Sequence, residues 1–210
     1  INNNDGGISI NKAVGNIINT TFNKNSGGAI FIGSSDVTLK GCVLSNNTAE
    51  FAGGGLRISG DSSSSSLGPS NVKIFNTIIR DNIVTTTDSS SVYSSMYGGG
   101  GLYVEWNTNV IIRESSFLSN VANINQGHHI FAWENAQRTP NISIINTHFS
   151  DQTNNNILDE FGGASTWNNC SSNLCTETPF TGACNAADNA NSKLGVICLS
   201  TISCNSNEIV

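Results

Sequence analysis

Along most of this chain apolar and polar positions alternate in short bursts, and the bursts repeat. One phrase occurs five times: alternating apolar residues, a turn residue and a small hydroxyl or thiol residue, an apolar anchor, and a side-chain amide three residues further on. It runs from Ile17 through the anchor Phe22 to Asn25, from Val37 through Leu44 to Asn47, and from Val72 through Ile79 to Asn82. It continues from Val110 through Phe117 to Asn120, and from Ile142 through Phe149 to Gln152. A second phrase interleaves with it, a glycine-rich turn entering an apolar residue. It stands at Gly6-Gly7-Ile8, Gly27-Gly28-Ala29-Ile30, Gly54-Gly55-Leu56, Gly100-Gly101-Leu102 and, with its second glycine lost, Gly127-His128-His129-Ile130. Strict alternation predicts strands rather than helices. Ile30 and Ile32, Leu56 and Ile58, and Leu102 and Val104 point one way, while Phe31, Arg57 and Tyr103 point the other.

Two short strands per repeat, at a variable period of about 22 to 38 residues, are the mark of a stacked solenoid, because one coil cannot bury its own apolar face. The pattern predicts an all-β right-handed parallel β-helix of about five coils over residues 1–156, the hand following the usual sense of parallel crossovers. In register, Phe22, Leu44, Ile79, Phe117 and Phe149 form an internal apolar column. Asn25, Asn47, Asn82 and Asn120 form a ladder in which each amide serves its own turn and the next coil. Ile1 leads almost directly into Gly6-Gly7, without an initiator Met, signal peptide or polar cap, so these coils are expected to be part of a longer β-helix.

Composition narrows the class. The chain is only 11% charged, where about a quarter is usual for soluble domains, and it is rich in the residues that favour turns. A net charge of -6 and a pI near 4.8 lack the basic stripe that nucleic acid requires. No apolar run is long enough to span a membrane as a helix. Two Ser/Thr-rich stretches, Gly60 to Pro69 and Thr85 to Tyr97, read as insertions on either side of one strand.

Cys42 falls in the hydroxyl column with Thr20, Thr77, Ser115 and Thr147, where it packs as a small residue. Cys170, Cys175, Cys184, Cys198 and Cys204 crowd residues 157–210 without a zinc-ligand pattern, which predicts a disulfide-rich C-terminal cap or small module in an oxidising compartment. Connectivity is open. Four glycosylation sequons, at Asn19, Asn46, Asn141 and Asn169, point to the same secreted compartment. Asn19 also shares a repeat position with Asn76 and Asn146, so a turn role competes with a glycan there.

The paired phrases Gly27-Gly28-Ala29-Ile30, Phe22-Asn23-Lys24-Asn25 and Phe117-Leu118-Ser119-Asn120 resemble the GGA(I/L/V) and FxxN repeats of chlamydial polymorphic outer membrane proteins. Similar repeats occur in predicted surface proteins of many bacteria and unicellular eukaryotes. The resemblance covers roughly residues 6–152, with one full GGA(I/L/V) match. It implies a pectin-lyase-like parallel β-helix that is secreted or displayed on a surface for adhesion or as an extracellular scaffold. No autotransporter barrel follows in this sequence, and the sequons and cysteines favour a eukaryotic surface protein.

Polysaccharide lyases, hydrolases and epimerases also use this architecture, though fold does not settle function. Registering the strands puts Ser9, Phe31, Arg57, Tyr103 and Phe131 in one outward column and Gly33, Ser59, Glu105 and Trp133 in the next. Arg57 with Glu105 or Glu134 is the sole acid/base group legible, and a second carboxylate pair is missing. Phe31, Arg57, Tyr103, Phe131 and Trp133 instead suggest an aromatic face that meets a protein partner, another copy of the chain or a glycan, or is covered by the C-terminal segment. His128, His129 and His148 lack the spacing of a metal site. The expectation is a non-catalytic extracellular structural or adhesive module without a cofactor, such as a subunit or repeat of a cell-surface appendage or filament. A carbohydrate-active enzyme or sugar-binding module is the alternative.

Overall fold

The computed structural model describes residues 1–2, 6–60, 69–86, 97–123, 127–133, 140–145 and 147–149, with the backbone of 157–159 and 197–199. The first strands are β1 (Ile8–Asn11), β2 (Val14–Ile18) and β3 (Thr21–Asn23). The next repeat supplies β4 (Ile30–Gly33), β5 (Asp36–Lys40), β6 (Val43–Ser45) and β7 (Thr48–Ala49). Then come β8 (Leu56–Ser59), β9 (Ser70–Phe75), β10 (Ile78–Arg80) and β11 (Ile83–Val84), followed by β12 (Leu102–Val104), β13 (Thr108–Arg113), β14 (Ser116–Leu118) and β15 (Val121–Ala122). The last are β16 (Ile130–Ala132), β17 (Asn141–Ile145), β18 (His148–Phe149), β19 (Ile157–Asp159) and β20 (Ile197–Leu199). The described residues contain no helix, hence none that could cross a membrane.

These strands form four sheets, ordered β1-β4-β8-β12-β16-β19 (sheet I), β2-β5-β9-β13-β17-β20 (sheet II), β3-β6-β10-β14-β18 (sheet III) and β7-β11-β15 (sheet IV). Each repeat visits I, II and III in turn, and three repeats add a strand to IV. Every pairing within the sheets is parallel. The protein is therefore all-β, with parallel strands in stacked sheets, compatible with a β-solenoid. β19 and β20, from the cysteine-rich region, pair with β16 and β17 and extend sheets I and II.

The interior is built from the columns that alternation predicts. Phe22, Leu44, Ile79, Phe117 and Phe149 are in register and buried. Ile30, Leu56, Leu102 and Ile130 line sheet I, and Val37, Val72, Val110 and Ile142 line sheet II. All belong to one continuous core cluster. Full burial of each such side chain contributes about 1.5–3 kcal/mol of gross hydrophobic stabilisation.

Sharp corners separate such short strands, and a single left-handed residue supplies many of them. Among the described residues, ten non-glycine ones have φ between 45° and 58°, including Asn19, Asn46, Asn76, Asp81 and Asn107. Short polar side chains tolerate this conformation by bonding locally, which accounts physically for a chain so rich in asparagine. Asn19 and Asn76, and in register with them Gly41 and Glu114, occupy the corner from sheet II to sheet III.

Buried polar ladders run along two corners. Three ladder asparagines send the backbone N–H and the Nδ2 to the Oδ1 of the asparagine in the following repeat: Asn25 to Asn47 at 3.0 and 2.8 Å, Asn47 to Asn82 at 3.0 and 2.9 Å, and Asn82 to Asn120 at 3.1 and 2.9 Å. The hydroxyl column bonds similarly. Thr77 Oγ1 donates to Phe75 O at 2.9 Å and accepts from the Cys42 backbone N–H at 3.4 Å, while Ser115 Oγ accepts from Thr77 N–H at 3.2 Å. Cys42 is buried in this column, its single S–H shared between Ile17 O at 3.3 Å and Lys40 O at 3.5 Å.

The glycine turns let backbone lie on backbone. A Cβ on Gly100 would stand 2.4 Å from Val121 O and 2.7 Å from His128 O. Register corrects the reading of the last turn. Gly127 aligns with Gly99, both with positive φ, so the left-handed glycine is retained and His128 and His129 replace the two that follow. Most of both Ser/Thr-rich insertions lies outside the described residues.

Candidate functional site

Parallel pairing of β4, β8, β12 and β16 stacks Phe31, Arg57, Tyr103 and Phe131 in the order the alternation predicts. One residue past β12, Glu105 donates its backbone N–H to Ile58 O at 2.8 Å, which places it beside Ser59. Trp133 N–H donates to Val104 O, also at 2.8 Å, and so follows in the same column. The five candidate residues thus share the outer side of sheet I.

Their exposure matches a face covered within the chain more than one open to a partner. Phe131 is 0% exposed, Tyr103 1% and Trp133 8%. They form a second buried cluster, separate from the core, against which Ala52 and Trp106 pack. Tyr103 and Phe131 stack with centroids 5.5 Å apart, and Trp106 tilts against Trp133 at 4.7 Å. Such ring pairs add cohesion beyond the area they bury. Only Phe31, half-buried, and Arg57, whose side chain is 44% exposed, reach solvent appreciably.

Arg57 is held on three sides. Its Nε donates to Glu105 Oε1 at 2.9 Å, and its Nη2 donates to the same oxygen. Its guanidinium carbon lies 5.7 Å from the Phe31 ring centroid and 5.8 Å from that of Tyr103, within cation–π range. Glu105 is 5% exposed, and its other oxygen accepts from Ser59 Oγ at 2.8 Å. Both carboxylate oxygens are therefore engaged, one by a fixed cation. An acid or base must reach the proton it moves, and this carboxylate is occupied instead in neutralising Arg57. Glu134, the other candidate carboxylate, lies outside the described residues. No cluster of three or more potential metal ligands occurs among the described residues.

Ser59 and Trp106 also lie in this region, although the sequence assigned neither a role. The usable signal was the diagonal relation of Arg57 and Glu105 on paired strands, a spacing that long side chains can bridge.

Of the sequon asparagines, Asn19, Asn46 and Asn141 are exposed, and Asn169 lies outside the described residues. Asn19 and Asn46 occupy left-handed corners, and Asn46 Nδ2 donates to Asn23 Oδ1 at 3.0 Å. Asn141 opens β17 in an outward column with Asp36, Asn71 and Asn109, where Asn71 Nδ2 donates to Asp36 Oδ1 at 2.7 Å and Asn109 Nδ2 to Asn71 Oδ1 at 2.9 Å. Cys170, Cys175, Cys184 and Cys204 lie outside the described residues, and Cys198 stands in β20, where only the backbone is described. His128 is half-buried, and desolvation lowers its pKa from the ordinary 6.5.

No protein-family model matches the chain, and none of the curated proteins or solved structures compared with it does so either.

Proposed function

We propose that this chain is a right-handed parallel β-helix of about five coils, closed by a disulfide-rich C-terminal cap, and that it serves as a non-catalytic structural or adhesive module outside the cell. The observation carrying this reading is where the polar groups are spent. The ladder amides join one repeat to the next, and Glu105, the buried carboxylate of the outer cluster, is engaged by Arg57 and Ser59. This arrangement consumes polar chemistry in cohesion. Exposed sequons at Asn19, Asn46 and Asn141, and the resemblance of the paired phrases to surface-protein repeats, support a secreted location. Protein partners, or further copies of the chain, would meet it through the coil ends or through Phe31 and Arg57, the part of the aromatic face that stays open.

The alternative, a sugar-binding or carbohydrate-active β-helix, draws on one observation: Arg57 stays half-exposed between Phe31 and Tyr103. A reducing-end assay on acidic and neutral polysaccharides separates the two. The structural reading expects no turnover by the wild-type chain. Turnover that disappears in both Arg57→Ala and Glu105→Gln would transfer the assignment to the enzyme.

A further inference from the structure

The asparagine ladder changes chemistry at its last described step. At Asn25, Asn47 and Asn82 the side-chain amide reaches the Oδ1 of the next ladder asparagine. Asn120 Nδ2 instead lies 3.2 Å from His129 Nδ1, while its other hydrogen goes to Ile79 O at 2.8 Å. The orientation of this amide is fixed, because Asn120 Oδ1 already accepts two N–H groups from Asn82. Nδ2 can only donate, so Nδ1 of His129 must accept and carry no proton. The ring is 1% exposed and packs beside the stacked pair Phe117 and Phe149, with centroids 6.3 and 5.7 Å away. In sequence, the repeat that carries His129 is the one whose phrase ends in Gln152 rather than asparagine.

The adjacent histidine makes the same demand. His128 Nδ1 accepts the backbone N–H of Ala122 at 3.0 Å. In the preceding turns the corresponding residues are the glycine pairs Gly54-Gly55 and Gly100-Gly101, which carry no titratable group. Two neighbouring imidazoles thus fasten the sheet IV strand β15 and the ladder to the turn that enters β16, and each does so through a bare Nδ1. Protonating either nitrogen sets a donor against a donor. Among the described residues, the elements packed on this turn bring two other titratable side chains, Tyr97 and His148. Tyr97 lies 5.0 Å from the Phe51 ring, and His148 stands in the outward column of β18 with Ser116. Neither supplies a negative charge to an imidazolium at ordinary pH, and desolvation of His128 acts in the same direction.

We propose that the His128–His129 turn is an acid-sensitive latch that holds β16 and the strands after it onto the stack at neutral pH and releases them on mild acidification. The latch differs from loss of overall stability because it is confined to one turn, the glycine turns before it having nothing to protonate.

Hydrogen exchange followed by mass spectrometry on the whole chain at pH 7.5 and pH 5.0, expressed as protection factors, tests this. Peptides spanning 118–133 should lose protection by roughly tenfold or more on acidification, as expected when buried donors lose their acceptors, while peptides from 28–59 keep theirs. In His128→Asn/His129→Asn, which retains acceptors but no titrating ring, the acid-dependent loss should vanish. Equal losses in both segments, no loss in the wild type, or an undiminished loss in the folded variant would each overturn the proposal. Should the variant fail to fold, 15N spectra of the wild-type imidazoles decide the matter. The proposal requires an unprotonated Nδ1 on both rings at pH 7.5, and a protonated Nδ1 on either removes its basis.

Discussion

Asn82 donates both its side-chain amide, at 2.9 Å, and its backbone N–H, at 3.1 Å, to the single oxygen Oδ1 of Asn120. Its own Oδ1 accepts the same pair of donors from Asn47, and its second amide hydrogen goes to Leu44 O at 2.9 Å. One buried side chain therefore serves three successive repeats. Replacing it with alanine strands two donors on Asn47 and takes a donor from Leu44 O, while Asn120 Oδ1 keeps only the backbone N–H of residue 82. Asn82→Ala should cost about 3 kcal/mol or more, since each buried group left unsatisfied costs about 1–3 kcal/mol. Asn76, exposed at a corner with φ 46°, should tolerate glycine to within about 0.5 kcal/mol, because glycine meets the same backbone demand. Urea unfolding of the two variants measures this contrast, and similar losses at both positions would deny the ladder its role.

These asparagines show what the sequence made legible. Spacing from an apolar anchor to an amide revealed the ladder, and strand alternation revealed both the core columns and the order Phe31, Arg57, Tyr103, Phe131 on sheet I. Burial of the last two was not legible, because alternation tells only which side of a sheet a residue takes. What packs over that side depends on Trp106 and Trp133, which meet through irregular backbone beyond the strand ends. The part played by His129 was hidden for a related reason: its turn looked like a decayed glycine motif until register set it against Asn120.

The Arg57–Glu105 pair makes an asymmetric prediction. Arg57→Ala leaves a buried carboxylate whose remaining partner is Ser59, and should cost about 2 kcal/mol, the range for a charged group left partly unsatisfied. Arg80→Ala and Arg113→Ala remove exposed partners of Asp81 and Glu114 and should cost less than about 0.5 kcal/mol each. Chemical denaturation at moderate salt distinguishes these cases; a surface-like value for Arg57 would mean that the outer cluster adds little to the stack.

Glycines should divide by position. Gly100→Ala drives a methyl group onto the carbonyl oxygens of Val121 and His128, and should cost about 2–3 kcal/mol as overpacking does. Gly15→Ala, with no atom within 4 Å of its added Cβ and no positive φ, should be neutral or stabilising by about 0.4–1 kcal/mol through the unfolded chain. Thermal melts of both variants are sufficient to compare them.

His128 contributes to the pH dependence of stability. Desolvation lowers its folded pKa below the ordinary 6.5, so beneath that pH the unfolded chain binds more protons than the folded one. Folding free energy should then decline as pH falls from about 6.5 toward the lowered folded value, with no contribution from this group above the window. The slope of urea-derived stability between pH 7.5 and 5.5, compared with His128→Asn, isolates the effect. A difference that grows toward alkaline pH would have the wrong sign.

The most direct test of the extracellular structural account is non-reducing peptide mass spectrometry of the protein isolated from its native source. The account predicts hexose-bearing Asn46 or Asn141, oxidised cysteines among Cys170, Cys175, Cys184, Cys198 and Cys204, and partner chains co-purifying in fixed ratio. Bare asparagines, reduced cysteines and a lone chain would contradict it.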